Sequence, residues 1–391
     1  MSIRRNIGAV VASLAVGIAM LGVASHGVQA QQAPGSALPV DFTSFGVHFD
    51  KARGPVDLGL KDPALVGAID VHAHLGPSPW TTNVRMAIDA FDFAKLAASR
   101  GMRGFVQKSH HDASSASNAY LIRTHVEPNL EVFGRMALNL TTGGINIATV
   151  EQFAQMQGGW GRIIEMPTND SEYRARDETP EVFAKNRRWA FLMPPGSPKF
   201  VAISKNGELL PEVKYLLEAA SKIRTVDTNA PLALATGHSS GQEDMLLVRE
   251  ARRLGMQVTM PHGSQDVVAV GHGSSATPGF VPGIDQLKEA ARLGAFVELR
   301  QAGALGSEMG FAASVKMIRA IGAQSVIIST DCGFMEQPLP TDCLALMARG
   351  LRAYGITEHE IDIMFKDNPA KLLGLPLWTE MQAQAAASGR R

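Results

Sequence analysis

The chain has 391 residues, with 37 lysines and arginines balanced by 37 aspartates and glutamates, and 45% hydrophobic against 19% charged residues. That is enough apolar material for a sizeable core, in one large domain or two ordinary ones, and the composition is not that of a disordered chain. The even charge offers no basic footprint for nucleic acid, and two cysteines exclude a disulfide-rich scaffold while allowing Cys332 and Cys343 either to bridge or simply to pack.

Residues 1–30 read as a secretory signal peptide. Arg4 and Arg5 precede an uncharged stretch over 7–24, followed by the small-residue pattern Val28-Gln29-Ala30. Cleavage after Ala30 would send the mature chain to the periplasm or out of the cell. A retained anchor competes, because eighteen apolar residues just suffice to span a bilayer. The paired arginines leave Sec and twin-arginine export both open. No later segment is apolar enough to cross, so no stable membrane span is expected after cleavage. Residues 31–67 form a Pro-, Gly-, Ser- and Ala-rich extension with a short strand expected at 47–49.

From residue 68 the pattern changes. Short β-prone runs at 68–75, 103–109, 131–138, 161–167, 232–236, 256–260, 295–299 and 325–330 alternate with helical patterns at 84–100, 114–127, 146–157, 211–224, 241–254, 283–293, 308–321 and 341–354. Four helices stop at a glycine just before a strand, as in SRGMRGFV and RAIGAQSVI, where a left-handed residue ends the helix without a side-chain penalty. Runs such as Val326-Ile327-Ile328 suit parallel strands covered on both faces. Eight such units predict an α/β (β/α)8 TIM barrel over 68–375, with a tail at 376–391. An open doubly wound sheet is the alternative, but the chain has no glycine-rich dinucleotide loop. A long insertion after the fourth strand, 167–231, carries an Asn206-Gly207 hairpin turn. It reads as a substrate lid or wall, or as a dimerisation element of a homo-oligomer.

Polar residues gather at the ends of these strands. His72 and His74 lie two apart in Ile69-Asp70-Val71-His72-Ala73-His74, so they point the same way. His238 ends the fifth strand, His262 the sixth and Asp331 the eighth, which is where barrel enzymes build their sites. Imidazoles with a carboxylate suit a borderline divalent metal, zinc first, as one or two ions. Asp331 is then the candidate base that takes a proton from water and returns it to a leaving group. On the second strand, Lys108 and His110 share a side, with His111 opposite. Lys108 suits a substrate carboxylate or phosphate, a carboxylated metal bridge, or a plain salt bridge. Glu165 is the candidate bridging carboxylate on the fourth strand, unless it pairs with Arg162 or Arg187. Asn139, Arg300 and His272 are candidate substrate contacts. GHGSSATPG and Gly143-Gly144 lack the P-loop pattern and read as flexible loops.

The arrangement resembles the amidohydrolase superfamily of metal-dependent barrels in four places: DVHAH on strand one, single histidines on strands five and six, and STD on strand eight. It looks closest to an uncharacterised group of metal-dependent hydrolases within that superfamily, through DVHAHLGPS, GMRGFVQKSHH, LNLTTGGIN, TGHSS and KDNPAKLLGL. The resemblance implies that His72, His74 and Asp331 hold a first metal. His238 and His262 would hold a second or orient water. The usual strand-four lysine is absent, which puts the metal count in doubt. The expected activity is metal-dependent hydrolysis of a small amide, lactone or ester. A decarboxylase or lyase, a phosphoesterase, and a non-catalytic metal-dependent binding protein are the alternatives.

Overall fold

The computed structural model describes residues 57–78, 86–176, 178–186, 190, 192–261, 283–300, 308–335 and 337–388. The signal peptide expected at 1–30, the strand expected at 47–49, Arg187, His262 and His272 lie outside the described residues.

Eight parallel strands form one sheet, and each expected strand is present within two or three residues at its ends. In chain order, the first elements are β1 (Ile69–His74), α1 (Ala90–Ser99), β2 (Gly104–Ser109), α2 (Ser114–His125), β3 (Glu131–Ala137), α3 (Ile147–Ala154) and β4 (Gly161–Glu165). An insertion follows, with α4 (Glu172–Arg176), α5 (Pro180–Asn186) and the hairpin β5 (Ser204–Lys205) and β6 (Glu208–Leu209). The alternation resumes with α6 (Pro211–Lys222), β7 (Ala233–Ala235), α7 (Gly241–Arg253), β8 (Val258–Met260), α8 (Ile284–Arg292), β9 (Phe296–Arg300), α9 (Glu308–Ile321), β10 (Val326–Ser329) and α10 (Pro340–Ala353). The sheet order is β1-β2-β3-β4-β7-β8-β9-β10. The ends meet where Asp331 N donates to His72 O at 2.9 Å and His74 N to Cys332 O at 2.8 Å. Short helices α11 (Glu358–Asp362) and α12 (Asn368–Leu373) close the chain's barrel portion, and α13 (Trp378–Ala387) follows.

Local chemistry accounts for these elements. Asp89 caps α1 by accepting from Phe91 N and Asp92 N, and Ala90, Phe93, Ala94 and Ala97 form its buried stripe. Phe93 meets Phe105 of β2 edge-on at 4.8 Å, and burial of each ring stabilises the layer by about 1.5–3 kcal/mol. Gly134 of β3 lets α2 approach closely, because a Cβ there would lie 2.7 Å from Ala116 N. Asn206 and Gly207 take φ of 55° and 80°, as a hairpin turn of that sequence requires.

Inside the barrel, alternation of period two builds layers. At the floor sit Ile69, Val71, Val106, Phe133, Ile163 and Ile327, packed with Leu372 and Leu373 of α12. Two residues further along their strands come Lys108, Arg135 and Glu165, with Glu298 two beyond Phe296 on β9; all four are buried. A barrel interior is ordinarily filled with branched apolar side chains; here its middle layer is ionic.

Candidate metal centre

His72 and His74 reach the site because the β1–β2 pairing shifts register between Asp70 and Ala73. Asp70 fastens that shift to the closing strand by accepting from His72 N at 3.0 Å, Thr330 N at 3.1 Å and Thr330 Oγ1 at 2.6 Å. Asp331, at φ 52°, then faces both imidazoles. Its Oδ1 lies 3.0 Å from His72 Nε2 and 2.9 Å from His74 Nε2. The candidate ligand atoms of these three residues lie within 4.8 Å of one another.

The surrounding groups set the protonation states. His72 gives its Nδ1 side to Glu298 Oε1 at 2.5 Å, which leaves Nε2 as the lone-pair side. A carboxylate behind a ligating histidine fixes the tautomer and the ring plane. Nε2 faces the Asp331 oxygen at 3.0 Å, with the Lys108 amine 2.9 Å away on the same atom. Burial lowers His74 to about 4 against the pull of Asp331, so its imidazole is neutral at pH 7. Burial pushes Asp331 up, but Arg300 and then His72 hold it well below the ordinary carboxylate range. Two imidazoles and an ionised carboxylate, mutually close and oriented from behind, are a donor set that fits a divalent metal.

Beneath them runs a closed chain of ions. Lys108 Nζ is 2.9 Å from His72 Nε2 and 3.1 Å from Glu165 Oε1. Arg135 grips Glu165 through Nη2 at 2.8 Å and Nε at 3.1 Å, and reaches Glu298 Oε2 through Nη1 at 3.2 Å. Ser329 Oγ donates to Glu298 at 2.9 Å. Burial raises Glu165, yet Arg135 and Lys108 outweigh it and hold the acid at about 2. Glu165 faces inward as its candidacy required, but its partners are Arg135 and Lys108. Arg162 faces the barrel floor, donating to Gly159 O and Leu373 O and lying over the Phe133 ring.

Above the metal candidates sits a rim. His110 stacks on His74 at 4.9 Å and shares a 2.8 Å hydrogen bond with the Thr168 hydroxyl through Nδ1. His238, with its ring 6.2 Å from His110, accepts from Arg174 Nη1 at 2.9 Å through Nδ1. Burial drives both imidazoles far below their ordinary values; for His238, Arg174, Lys108 and Arg300 add to it. His238 therefore lies beside the three-residue group rather than in it. His111 points to Thr141 and Asn169. Arg300 Nη1 pairs with Asp331 Oδ2. Asn139, expected to meet substrate, is fully buried: its amide donates to His110 O and Thr168 Oγ1, and its oxygen accepts from Thr168 N and Asp170 N. It braces the loop after β4.

Glu298, Arg135 and Arg174 escaped the sequence reading. Glu298 had a signal, since it stands two residues before Arg300 on the same strand face. Arg135 likewise stands alone in the apolar run of β3. Nothing local marks Arg174, because the insertion folds it back. Cys332 and Cys343 form a disulfide, taking the bridge of the two alternatives. Among the described residues, no helix is long and apolar enough to cross a membrane.

A model described as a family of unknown function, DUF6282, matches residues 67–298, more than half of the chain. No curated protein matches. Among solved structures, a candidate 2-pyrone-4,6-dicarboxylic acid hydrolase from Pseudomonas putida is similar at 16% identity and TM-score 0.50, covering 80% of this chain and 99% of that one. An amidohydrolase from Pseudomonas aeruginosa is similar at 12% identity and TM-score 0.50, covering 79% of this chain and 96% of that one. At such identities the likeness is one of fold. The chain belongs to the DUF6282 family, of unknown function, and shares its barrel fold with these solved structures.

Proposed function

We propose that the protein is an exported, metal-dependent hydrolase of a small amide, lactone or ester. The observation that carries this reading is the convergence of His72 Nε2 and His74 Nε2 on one oxygen of Asp331, with Glu298 fixing His72 from behind. Zinc is the first choice for two imidazoles and a carboxylate. A divalent ion held there supplies Lewis acidity, which acidifies water and polarises an acyl oxygen.

The protein's own groups do the rest. Asp331, ionised at neutral pH, accepts the proton of the attacking water and returns it to the leaving oxygen or nitrogen. His110, half-buried, and His238, buried, are neutral, so they meet the acyl group as hydrogen-bonding partners without adding charge. Lys108 is held in place by Glu165 and borders the same space from below.

Turnover of a small ester and lactone panel in oxygen-18 water tests the reaction class. Hydrolysis places the label in the product carboxylate. Release of carbon dioxide from a carboxylated substrate without label uptake would make the protein a decarboxylase, and saturable binding without turnover would make it a binding protein. Export is tested separately by the intact mass of protein from its native compartment, where an N-terminus at Gln31 is expected and a retained 1–30 segment would refute it.

A further inference from the structure

We propose that the substrate of this site carries a carboxylate, and that Arg174, delivered by the insertion after β4, is the side chain that seats it, with Arg300 completing a positive wall. The inference deepens the hydrolase reading by naming a substrate class, and it rests on that reading only for where the acyl group lies.

The first observation is the direction Arg174 takes. Helix α4 is five residues long and buries none of them, so packing does not dictate where its arginines go. Arg176, on the same helix, turns to solvent at 67% exposure and pairs with Glu172. Arg174 turns inward to 22% exposure. Its Nη1 is fixed between Asn169 Oδ1 at 2.7 Å and His238 Nδ1 at 2.9 Å, and Glu178 Oε1 lies 3.5 Å from Nε. The other cations of the site are deeper, with Lys108 at 1%, Arg135 at 0% and Arg300 at 7% side-chain exposure. Among the described residues, Arg174 is thus the cation of the site nearest to solvent.

The second observation is the field it enters. His238 feels Arg174, Lys108 and Arg300 together, with Asp331 opposing them. Glu178, 3.5 Å from Arg174 Nε, offsets part of that charge, and a second anion at the mouth would be favoured by the guanidinium that faces it. A substrate carboxylate is such an anion, and a planar guanidinium matches its geometry.

The third observation is an unmet donor. Arg300 pairs with Asp331 through Nη1, but its Nε is buried without a hydrogen-bond partner among the described residues. A buried donor left unmade is unfavourable, and an anion in the site would satisfy it. A singly charged carboxylate suits this wall better than a phosphate dianion, because Asp331 and Glu178 stand close to the two arginines and would repel the second charge.

Calorimetric titration of the full-length protein with succinate and glutarate, their neutral diamides, and inorganic phosphate tests the proposal. Wild-type protein should bind the dicarboxylates and not the diamides. Arg174→Met should weaken dicarboxylate binding about 10- to 100-fold, the scale of a charge-assisted pair, and Arg174→Lys should recover part of it. Circular dichroism checks that both variants fold, which α4 should permit because it buries no residue. In turnover, 5-oxotetrahydrofuran-2-carboxylate should be preferred over γ-butyrolactone, and Arg174→Met should raise KM for the former with kcat nearly unchanged. Equal binding of dicarboxylate and diamide, undiminished binding in Arg174→Met, no dicarboxylate binding at all, or tighter binding of phosphate than of succinate would each overturn the proposal. Arg174-dependent carboxylate binding without hydrolysis would instead sink the hydrolase reading alone. Lactone hydrolysis indifferent to the carboxylate would sink this inference alone.

Discussion

Replacing Glu298 by Gln keeps the volume of a side chain that contacts His72, Arg135, Ser329 and Thr259 and removes only its charge. Two consequences follow from the geometry. The amide can turn its NH2 towards His72 Nδ1, which forces the imidazole proton onto Nε2 and removes the lone pair that faces Asp331. Loss of a carboxylate behind a metal-bound histidine typically costs about 10–100-fold in metal affinity, which is about 1.4–2.7 kcal/mol at roughly 1.4 kcal/mol per tenfold. Separately, removing one partner of a buried ion pair costs about 3–5 kcal/mol. Arg135 retains two hydrogen bonds to Glu165, so the lower end, about 3 kcal/mol, is expected for stability. Zinc titration against a competing chelator measures the first effect and urea denaturation of the metal-free protein the second. Turnover at saturating metal should recover largely, since Glu298 holds a ligand and touches no reacting atom. Metal affinity within twofold of wild type in a folded Glu298→Gln protein would refute the assigned role.

At saturating metal, Asp331→Asn should lower turnover by about 10²- to 10⁴-fold, the usual contribution of a general acid–base group; wild-type turnover would move the proton transfer elsewhere. The metal-free protein should lose stability in acid. Glu165 at about 2 lies below its ordinary 4.5, so its contribution is complete above about pH 4.5 and disappears as pH falls towards 2. His74 at about 4, below 6.5, acts in the same direction between those values, because the unfolded chain takes up the proton first. Urea midpoints that stay flat from pH 7 to 3 would contradict both assignments. Converting Cys332 and Cys343 together to Ser should cost about 3 kcal/mol, the value for closing a short loop, here of sequence separation 11. Equal denaturation midpoints with and without the pair would refute that contribution.

Much of the molecule was legible from local pattern. Eight strands and the helices between them follow from apolar runs, glycine stops and helical periodicity, all short-range properties that survive without knowledge of partners. The barrel rule then puts the carboxyl ends of strands at one mouth, which is why His72, His74 and Asp331 could be chosen together although 257 positions separate His74 from Asp331. The bridge between Cys332 and Cys343 was open as one of two readings because so short a stretch of chain separates them, a sequence separation of 11.

What the tertiary structure alone decided is who faces whom across the barrel. Alternation says that Lys108, Arg135, Glu165 and Glu298 each point to one side of a strand, but not that four strands bring them to the same height. Only closure does that, and it turns four isolated charges into a neutral ionic layer, with Glu165 committed to Arg135 and Lys108 and Glu298 committed to His72. Asn139 shows the same limit: its strand-end position suggested a ligand contact, and the fold engages its amide with His110 O, after β2, and with Thr168 and Asp170, after β4. Arg174 lies furthest from sequence logic. Its neighbours in the chain are half-buried, and only the path of the insertion over the barrel mouth brings its guanidinium to His238. Secondary structure depends on energies summed over adjacent residues, while the partner of a buried charge depends on distances between strands that the chain order does not encode.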